Sequence, residues 1–558
     1  MRLVLVLLPA LLTMMAACRS GGEAVEPADV IYTNARVWTG APEKPWAEAL
    51  AVRGEALAAV GAADAVAAWR GPETRVVDLG GRFVMPGFID NHAHFLSGGF
   101  QLASVDLRSA DAPEEFRRRL AAFAAHTPAG RWITGGDWDH EAWGGALPER
   151  SWIDDVTPEH PVFVNRLDGH MALANTKALA LAGITRATPD PEGGTIVRDP
   201  ATGEPTGILK DEAMNLVYAA IPDPTPAEMD EALERAMAHA LSLGVTQVHD
   251  VGSFGGWDDL ATYRRAHARG ALRLRIYAFV PLASWARLAA YVEAEGRGDA
   301  WLRWGGLKGF VDGSLGSTTA WFYAPYADAP ETAGLVITDT TALRANILAA
   351  DAAGLHVAVH AIGDRANDWL LDVYAQAEAK NGPRDRRFRI EHAQHLSRAA
   401  IPRFRRQNVI PSMQPYHAID DGRWAGKRIG PERILTTYAF RTLLDAGAPL
   451  TFGSDWTVAP LDPLEGVYAA VTRRTLDGAN PDGWVPEEKI TVAEALRAYT
   501  SANAYGGFQE AIVGTLEPGK LADFVALSEN PFEIDPVALK DIRVLRTVVG
   551  GMDRYVAD

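Results

Sequence analysis

The α/β architecture that this sequence predicts is a (β/α)8 barrel of the TIM type, with a small flanking β-sandwich and one large insertion. Three observations predict it. Eight short apolar runs separated by helical stretches can be counted through the middle of the chain, the number that closes such a barrel. Short alternating segments bounded by Gly and Asn turns occur at both ends of the chain. One gap between runs is far longer than the few residues of an ordinary βα loop.

In chain order, Arg2 precedes LVLVLLPALLTMM, an apolar stretch too short to cross a bilayer, so residues 1–17 read as a signal peptide. Ala16-Ala17-Cys18 resembles a bacterial lipobox, which makes residues 18–27 a tether lipidated on Cys18. The expected product is exported and lipid-anchored in the bacterial cell envelope. By resemblance to bacterial sorting rules, Arg19 favours the outer membrane, facing the periplasm, in a Gram-negative source. ADVIYTNARVW, EALAVRGEALAAV and TRVVDLGGRFV then form the first part of the sandwich, 28–86.

The barrel is expected over 87–507. Its first strand ends at His94, and the others lie at 244–250, 273–280, 305–313, 355–363, 387–393, 409–415 and 448–455. The best helix is 226–243, with Thr225 as N-cap, Pro226 in the first turn, Glu228 completing a capping box and Gly244 past its end. Another starts near Thr340 and stops at Gly354. The insertion, about 95–224, leaves directly after the first strand, so it stands on the catalytic face as a lid or substrate wall. It carries Trp132, Trp138, Trp143 and Trp152 and expected strands at RWITGGDWD, HPVFVNR and GGTIVRD. Residues 508–558 complete the sandwich through GTLEPGKLADFVAL and IRVLRTVVGGMDRYV.

A net charge of −17 argues against nucleic acid, whose phosphates are repelled. With Cys18, the only cysteine, committed to lipid, none remains for a disulfide, a thiolate nucleophile or an iron–sulfur cluster.

Five strand-like segments each end in a residue with metal-binding chemistry. FIDNHAH contributes His92 and His94, GLKGFVDGS Lys308, VAVHAIGD His360, RIEHAQ His392 and TFGSDW Asp455. Two residues apart on a strand, His92 and His94 project from one face and can share an ion. Asp90, one pleat below, is placed to orient a histidine. Lysine cannot ligate as an ammonium. In an apolar strand its pKa falls, and the neutral amine can add carbon dioxide to give a bridging carbamate; pairing of Lys308 with Asp312 is the alternative. Asp455 can both ligate the ion and move a proton between water and the leaving nitrogen, since a metal lowers the pKa of its water to about 7. His170, in LDGHMALANTKAL, and Asp312, Asp364 and Arg365 are candidate substrate contacts. His140, His160, His249, His395 and His417 lack a comparable frame and are left out.

The motifs PGFIDNHAH, LKGFVDGSLGSTTAW, VAVHAIGDRAND, RIEHAQ, PSMQP and TFGSDW, with HMALANTKAL and LEPGKLADFVAL, span the chain after its leader. In them the chain resembles the amidohydrolase superfamily, and within it the branch of YtcJ-like proteins and N-substituted formamide deformylases. The resemblance implies one or two divalent ions, most often zinc, held by His92, His94, Lys308, His360, His392 and Asp455. It also implies Asp455 as the acid/base, His170 as a substrate contact, and hydrolysis of carbon–nitrogen bonds other than peptide bonds. Thr318 stands where an arginine is common among relatives.

The expected function is therefore opening of an amide or N-substituted formamide in a small molecule by metal-activated hydroxide. A cyclic-amide hydrolase or a deaminase would use the same side chains. A solute-binding lipoprotein without chemistry predicts a replaced ligand, yet all six positions are intact. Sixteen tryptophans, several in the insertion, suggest an aromatic wall for hydrophobic substituents.

Overall fold

The structure is a computed structural model that describes residues 26–557, apart from 167–170, 192–193, 254 and 317. At its centre lie eight parallel strands: β1 (Phe88–Ala93), β2 (Val245–Asp250), β3 (Arg275–Pro281), β4 (Leu302–Phe310), β5 (His356–Ala361), β6 (Arg389–His392), β7 (Ile410–Met413) and β8 (Thr451–Phe452). Each falls on one of the apolar runs read from the sequence. Helices cover the outer face and side chains fill the inner one, so the strands read as continuous apolar runs rather than alternating ones. Every residue of β2 is buried. The helix Pro226–Ser242 carries the expected capping box of Thr225 and Glu228 and buries Met229, Leu233, Ala236, Met237 and Ala240.

The sheet closes between β8 and β1. The Asp455 N–H donates to the His92 carbonyl (2.7 Å) and the His94 N–H to that of Trp456 (2.6 Å). With only two residues in β8, the seam is reinforced from outside. Asn503, on the helix Ser501–Gly506, donates to the carbonyls of both Ile89 and Phe452.

Both ends of the chain contribute to one mixed eight-stranded sheet beside the barrel. Its order is Met552–Val556, Val544–Val549, Phe524–Leu527, Arg75–Pro86, Val30–Trp38, Ala49–Arg53, Ala56–Gly61, with Trp46–Ala47 paired to Val30–Trp38. The expected sandwich is thus a single sheet curled on itself, so that Ala56 bridges Leu521. It is continuous because Arg75–Pro86 pairs with Val30–Trp38 on one side and Phe524–Leu527 on the other. Alternation along the strands sends Phe83, Met85, Val525 and Leu527 into the barrel's core and Tyr32, Val84, Phe524 and Ala526 into a separate cluster. A buried ion pair between Arg275 of β3 and Asp523 (2.6 Å) joins barrel and sheet.

The insertion folds around a six-stranded sheet. The three expected strands are there as Gly135–Trp138, Phe163–Arg166 and Gly194–Arg198, joined by Val105–Asp106, Met171–Ala174 and Pro205–Asp211. Trp138 is fully buried in the lobe's own core, edge-on to Phe116 at 6.4 Å, so this indole fills the lobe rather than lining a pocket. The helix Phe95–Gln101 leads into the lobe and packs against Pro226–Ser242 so closely that a Cβ on Gly99 would lie 2.0 Å from the Ala232 carbonyl oxygen.

Candidate metal centre

The closing seam of the barrel brings ligands from the first and last strands together. His92 Nε2 and His94 Nε2 lie 3.5 and 3.4 Å from Asp455 Oδ1. Four ligand atoms about 2.05 Å from a tetrahedral ion sit about 3.4 Å apart, so this spacing is that of a preformed coordination shell.

The hydrogen-bond partners of these rings decide which atoms face inward. His92 Nδ1 donates to the Glu391 carboxylate, and His94 Nδ1 to the Gly252 carbonyl (2.6 Å). Both partners are pure acceptors, which leaves a lone pair on each Nε2 pointing at a carboxylate oxygen. A divalent cation among these three atoms would satisfy all of them at once, the role otherwise left to a proton on His94 and the Lys308 ammonium beside His92. The proton equilibria say the same. Burial, then the Lys308 charge, bring His92 down to about 4, so it stays neutral. Burial also lowers His94, but hydrogen bonding and attraction to Asp455 outweigh it and raise the ring overall: the site seeks a positive charge here. Burial pushes the Asp455 carboxyl up, and the surrounding histidines override it and hold it ionised. The donor set fits a borderline-soft divalent ion.

The remaining expected ligands converge on the same mouth. Lys308 Nζ is 3.2 Å from His92 Nε2, and burial pulls its ammonium down to about 8 against Glu391 and Asp455. The His392 ring lies 5.0 Å from that of His92 and 4.5 Å from that of His360. Strand parity alone would place Glu391, not His392, inside the barrel. His392 adopts a φ of 72°, which breaks the alternation and returns its imidazole to the axis. Its Nδ1 donates to Gln414 Oε1 (2.7 Å). His360 differs: its Nε2 donates to the Gly313 carbonyl (3.1 Å). Burial, then Lys308, bring His360 down to about 3.

Three functional neighbours escaped the sequence reading. Glu391 anchors the His92 ring, and Arg389 grips Glu391 through two hydrogen bonds (2.7 and 2.9 Å), with Ser412 adding a third (2.7 Å). Arg389 and Glu391 share a strand face, and that i, i+2 spacing was the available signal. Burial raises Glu391, but Arg389 and His92 hold it well below the usual carboxylate range. Asp90, expected to orient a histidine ring, instead accepts the backbone N–H groups of His92 (3.0 Å) and Ser454 (3.1 Å). The third is His417, on the helix Pro415–Asp421 after β7. Its Nε2 is buried, has no hydrogen-bond partner, and stands 3.9 Å from Asp455 Oδ2.

Of the expected substrate contacts, Asp312 is fully buried and accepts the N–H groups of Trp321, Ile362 and Gly363, which ties the loops after β4 and β5 together. Asp364 accepts the Tyr323 N–H (3.0 Å). Arg365 is exposed, its guanidinium 4.4 Å over the Trp321 ring. His170 lies outside the described residues. At Thr318, Arg428 donates to the hydroxyl (2.8 Å) and to the Gly316 carbonyl (2.9 Å), so a guanidinium does stand on this loop. A cavity of about 560 Å3 opens between lobe and barrel beside Ser97 and Thr457, close in sequence to His94 and Asp455.

Known proteins share this arrangement of chain. Residues 75–553 match the amidohydrolase family. The protein LONG AFTER FAR-RED 3 of Arabidopsis thaliana is 42% identical over 95% of this chain and 92% of its own length. The putative amidohydrolase YtcJ of Bacillus subtilis is 33% identical over 87% and 91%. The N-substituted formamide deformylase of Arthrobacter pascens is 29% identical over 94% and 98%. Among solved structures, an uncharacterized metal-dependent hydrolase from Pyrococcus horikoshii superposes with a TM-score of 0.76 at 29% identity, over 91% of this chain and 99% of that one. With ligand-bearing strand ends converging on one barrel mouth and a family match over most of its length, the chain belongs to the amidohydrolase family and is a metal-dependent hydrolase of carbon–nitrogen bonds.

Proposed function

We propose that this protein hydrolyses the amide or N-substituted formamide bond of a small molecule, with a zinc-like ion held by His92, His94 and Asp455. The observation that carries the reading is the 3.4–3.5 Å spacing of two imidazole lone pairs and one carboxylate oxygen. A divalent ion there supplies Lewis acidity to the carbonyl and lowers the pKa of a water to about 7. Asp455, ionised at the outset, accepts the proton of the attacking water and returns it to the leaving nitrogen. Glu391 fixes the His92 tautomer throughout. Lys308, with its pKa brought to about 8, has a neutral fraction at physiological pH able to add carbon dioxide, lose a proton and become a carbamate. A formamide substrate is favoured by likeness to the deformylase, and a cyclic amide or an aminated ring is the second reading.

The test is Asp455→Asn, assayed for turnover and for bound metal. Asparagine tolerates the left-handed backbone of this position, φ 60°. Turnover is expected to fall about 10²- to 10⁴-fold with the fold retained; unchanged turnover refutes the role. A panel of formamides, hydantoins and aminopurines separates the two substrate readings.

Export rests on the leader alone. The apolar stretch before Ala16-Ala17-Cys18 supports a lipid anchor at Cys18, and Cys18→Ser is expected to release the protein from the membrane fraction.

A further inference from the structure

We infer that Asp137, on the inserted lobe, is a specificity-determining residue that takes a protonated amino group of the substrate. The inference rests on the small-molecule amide reading above and names a substrate class for it, amides or formamides with a cationic side arm.

Asp137 is the extra residue of a β-bulge. In the lobe's sheet Gly136 pairs with Asn165 and Trp138 with the next residue, Arg166, so nothing on that partner strand stands opposite Asp137. Its φ is 56°, following 85° at Gly135 and 113° at Gly136. Such a backbone is costly for a residue with a side chain, and strain of this kind concentrates at ligand clamps. The bulge sends neighbouring side chains to different places. Trp138 is buried in the lobe's core, its indole N–H donated to the Val164 carbonyl (2.9 Å). Asp137 instead lines the cavity of about 560 Å3 between lobe and barrel.

That cavity adjoins the segments that carry the metal ligands. Ser97 and Thr457 on its wall follow shortly after His94 and Asp455. Arg108, also on the wall, is felt by the helix that bears His417: burial, then Glu465, raise the Tyr416 phenol, and Arg108 opposes them. Asp137 Oδ1 accepts from Asn165 Nδ2 (2.8 Å), which fixes the carboxylate. Among the described residues Oδ2 meets only Arg108 Nη2, at 3.5 Å, and that guanidinium side chain is 61% exposed. So open an ion pair contributes little, and a ligand cation can take its place. Asp106 adds a second carboxylate to the same wall, so acids outnumber the one guanidinium there. A carboxylate only accepts hydrogen bonds, so the group it reads must donate, and an ammonium does so with the opposite charge.

The test is calorimetry on the metal-loaded full chain with two probes that resist hydrolysis, N-(3-aminopropyl)methanesulfonamide and its uncharged isostere N-butylmethanesulfonamide. Wild type is expected to bind the amine at least about tenfold more tightly. Asp137→Asn can still accept from Asn165, and Asp137→Gly suits the positive φ, so both variants keep the fold. Each is expected to bring the two probes within about threefold by weakening the amine alone. Equal binding by wild type, no binding of either probe, or a preference that survives both variants would overturn the inference. Turnover of N-(3-aminopropyl)formamide against N-butylformamide separates it from the reading beneath. Hydrolysis of both at equal kcat/KM overturns the inference and leaves that reading standing. If neither is hydrolysed while the Asp137-dependent binding preference holds, the formamide reading alone sinks.

Discussion

The Asp455 N–H donates to the His92 carbonyl at 2.7 Å while their side chains face each other at 3.5 Å. One of the backbone bonds that close the barrel therefore also ties two ligand residues together. Ligand geometry here is a property of the seam, and the backbone near it is bent to suit: Asp455 has φ 60° and His392 φ 72°. Such conformations cost an L residue about 1–2 kcal/mol and cluster at functional sites.

Glycine relieves that strain. The metal-free His392→Gly variant is expected to exceed His392→Ala in stability by about 1 kcal/mol in urea unfolding, the reverse of the usual ranking in a strand. Equal or reversed stability would mean that the backbone at 392 is relaxed.

Arg389 and Glu391 are a fully buried pair. Arg389→Met strands a carboxylate in the barrel and is expected to cost about 3–5 kcal/mol, with metal affinity down about 10- to 100-fold as His92 loses its anchor. Adding Glu391→Leu removes the stranded charge, so the double variant should regain much of the stability but not the affinity. A double-mutant cycle on denaturant melts reads the first effect and metal titration the second.

Lys308 gives the chain a pH signature. Burial holds its folded pKa at about 8, whereas the unfolded chain keeps the proton to about 10.4. Between these values the unfolded state binds more protons, so stability rises with pH by up to about 1.4 kcal/mol per unit. Below about 8 both states are protonated and the burial penalty is constant. In metal-free, carbon-dioxide-free buffer, wild type should therefore gain on Lys308→Met from pH 8 to 10 in parallel urea melts. A flat difference would place the ammonium in a solvated site.

Gly99 offers a test at a distance from the ligands. Gly99→Ala puts a methyl against the Ala232 carbonyl and must push the helix Phe95–Gln101 outward. Overpacking of this kind costs about 1–3 kcal/mol. Because that helix begins immediately after His94, metal affinity should weaken as well; a variant with normal affinity would show the helix to be free of the site.

The barrel was legible because eight apolar runs recur between helical stretches, and five segments carry a residue whose chemistry contrasts with its apolar run, as in VAVHAIGD. The capping box at Thr225 was legible for a local reason: its partners are three residues apart. Val105–Asp106 was not, since a strand of two residues leaves no period to count. His417 was missed because it stands on a short helix rather than at a strand end, and its value comes from Asp455, far away in sequence. Arg389 and Glu391 look like surface charges until the barrel closes around them.

In the flanking sheet Pro86 is the neighbour of Phe524, so that contact encloses the whole barrel in one loop. During synthesis the Arg75–Pro86 strand finds Val30–Trp38 already made, but its other edge stays unpaired until Phe524–Leu527 near the end of the polypeptide emerges. A product cut short near its carboxyl end presents that edge bare, the kind of edge that recruits other molecules into aggregates.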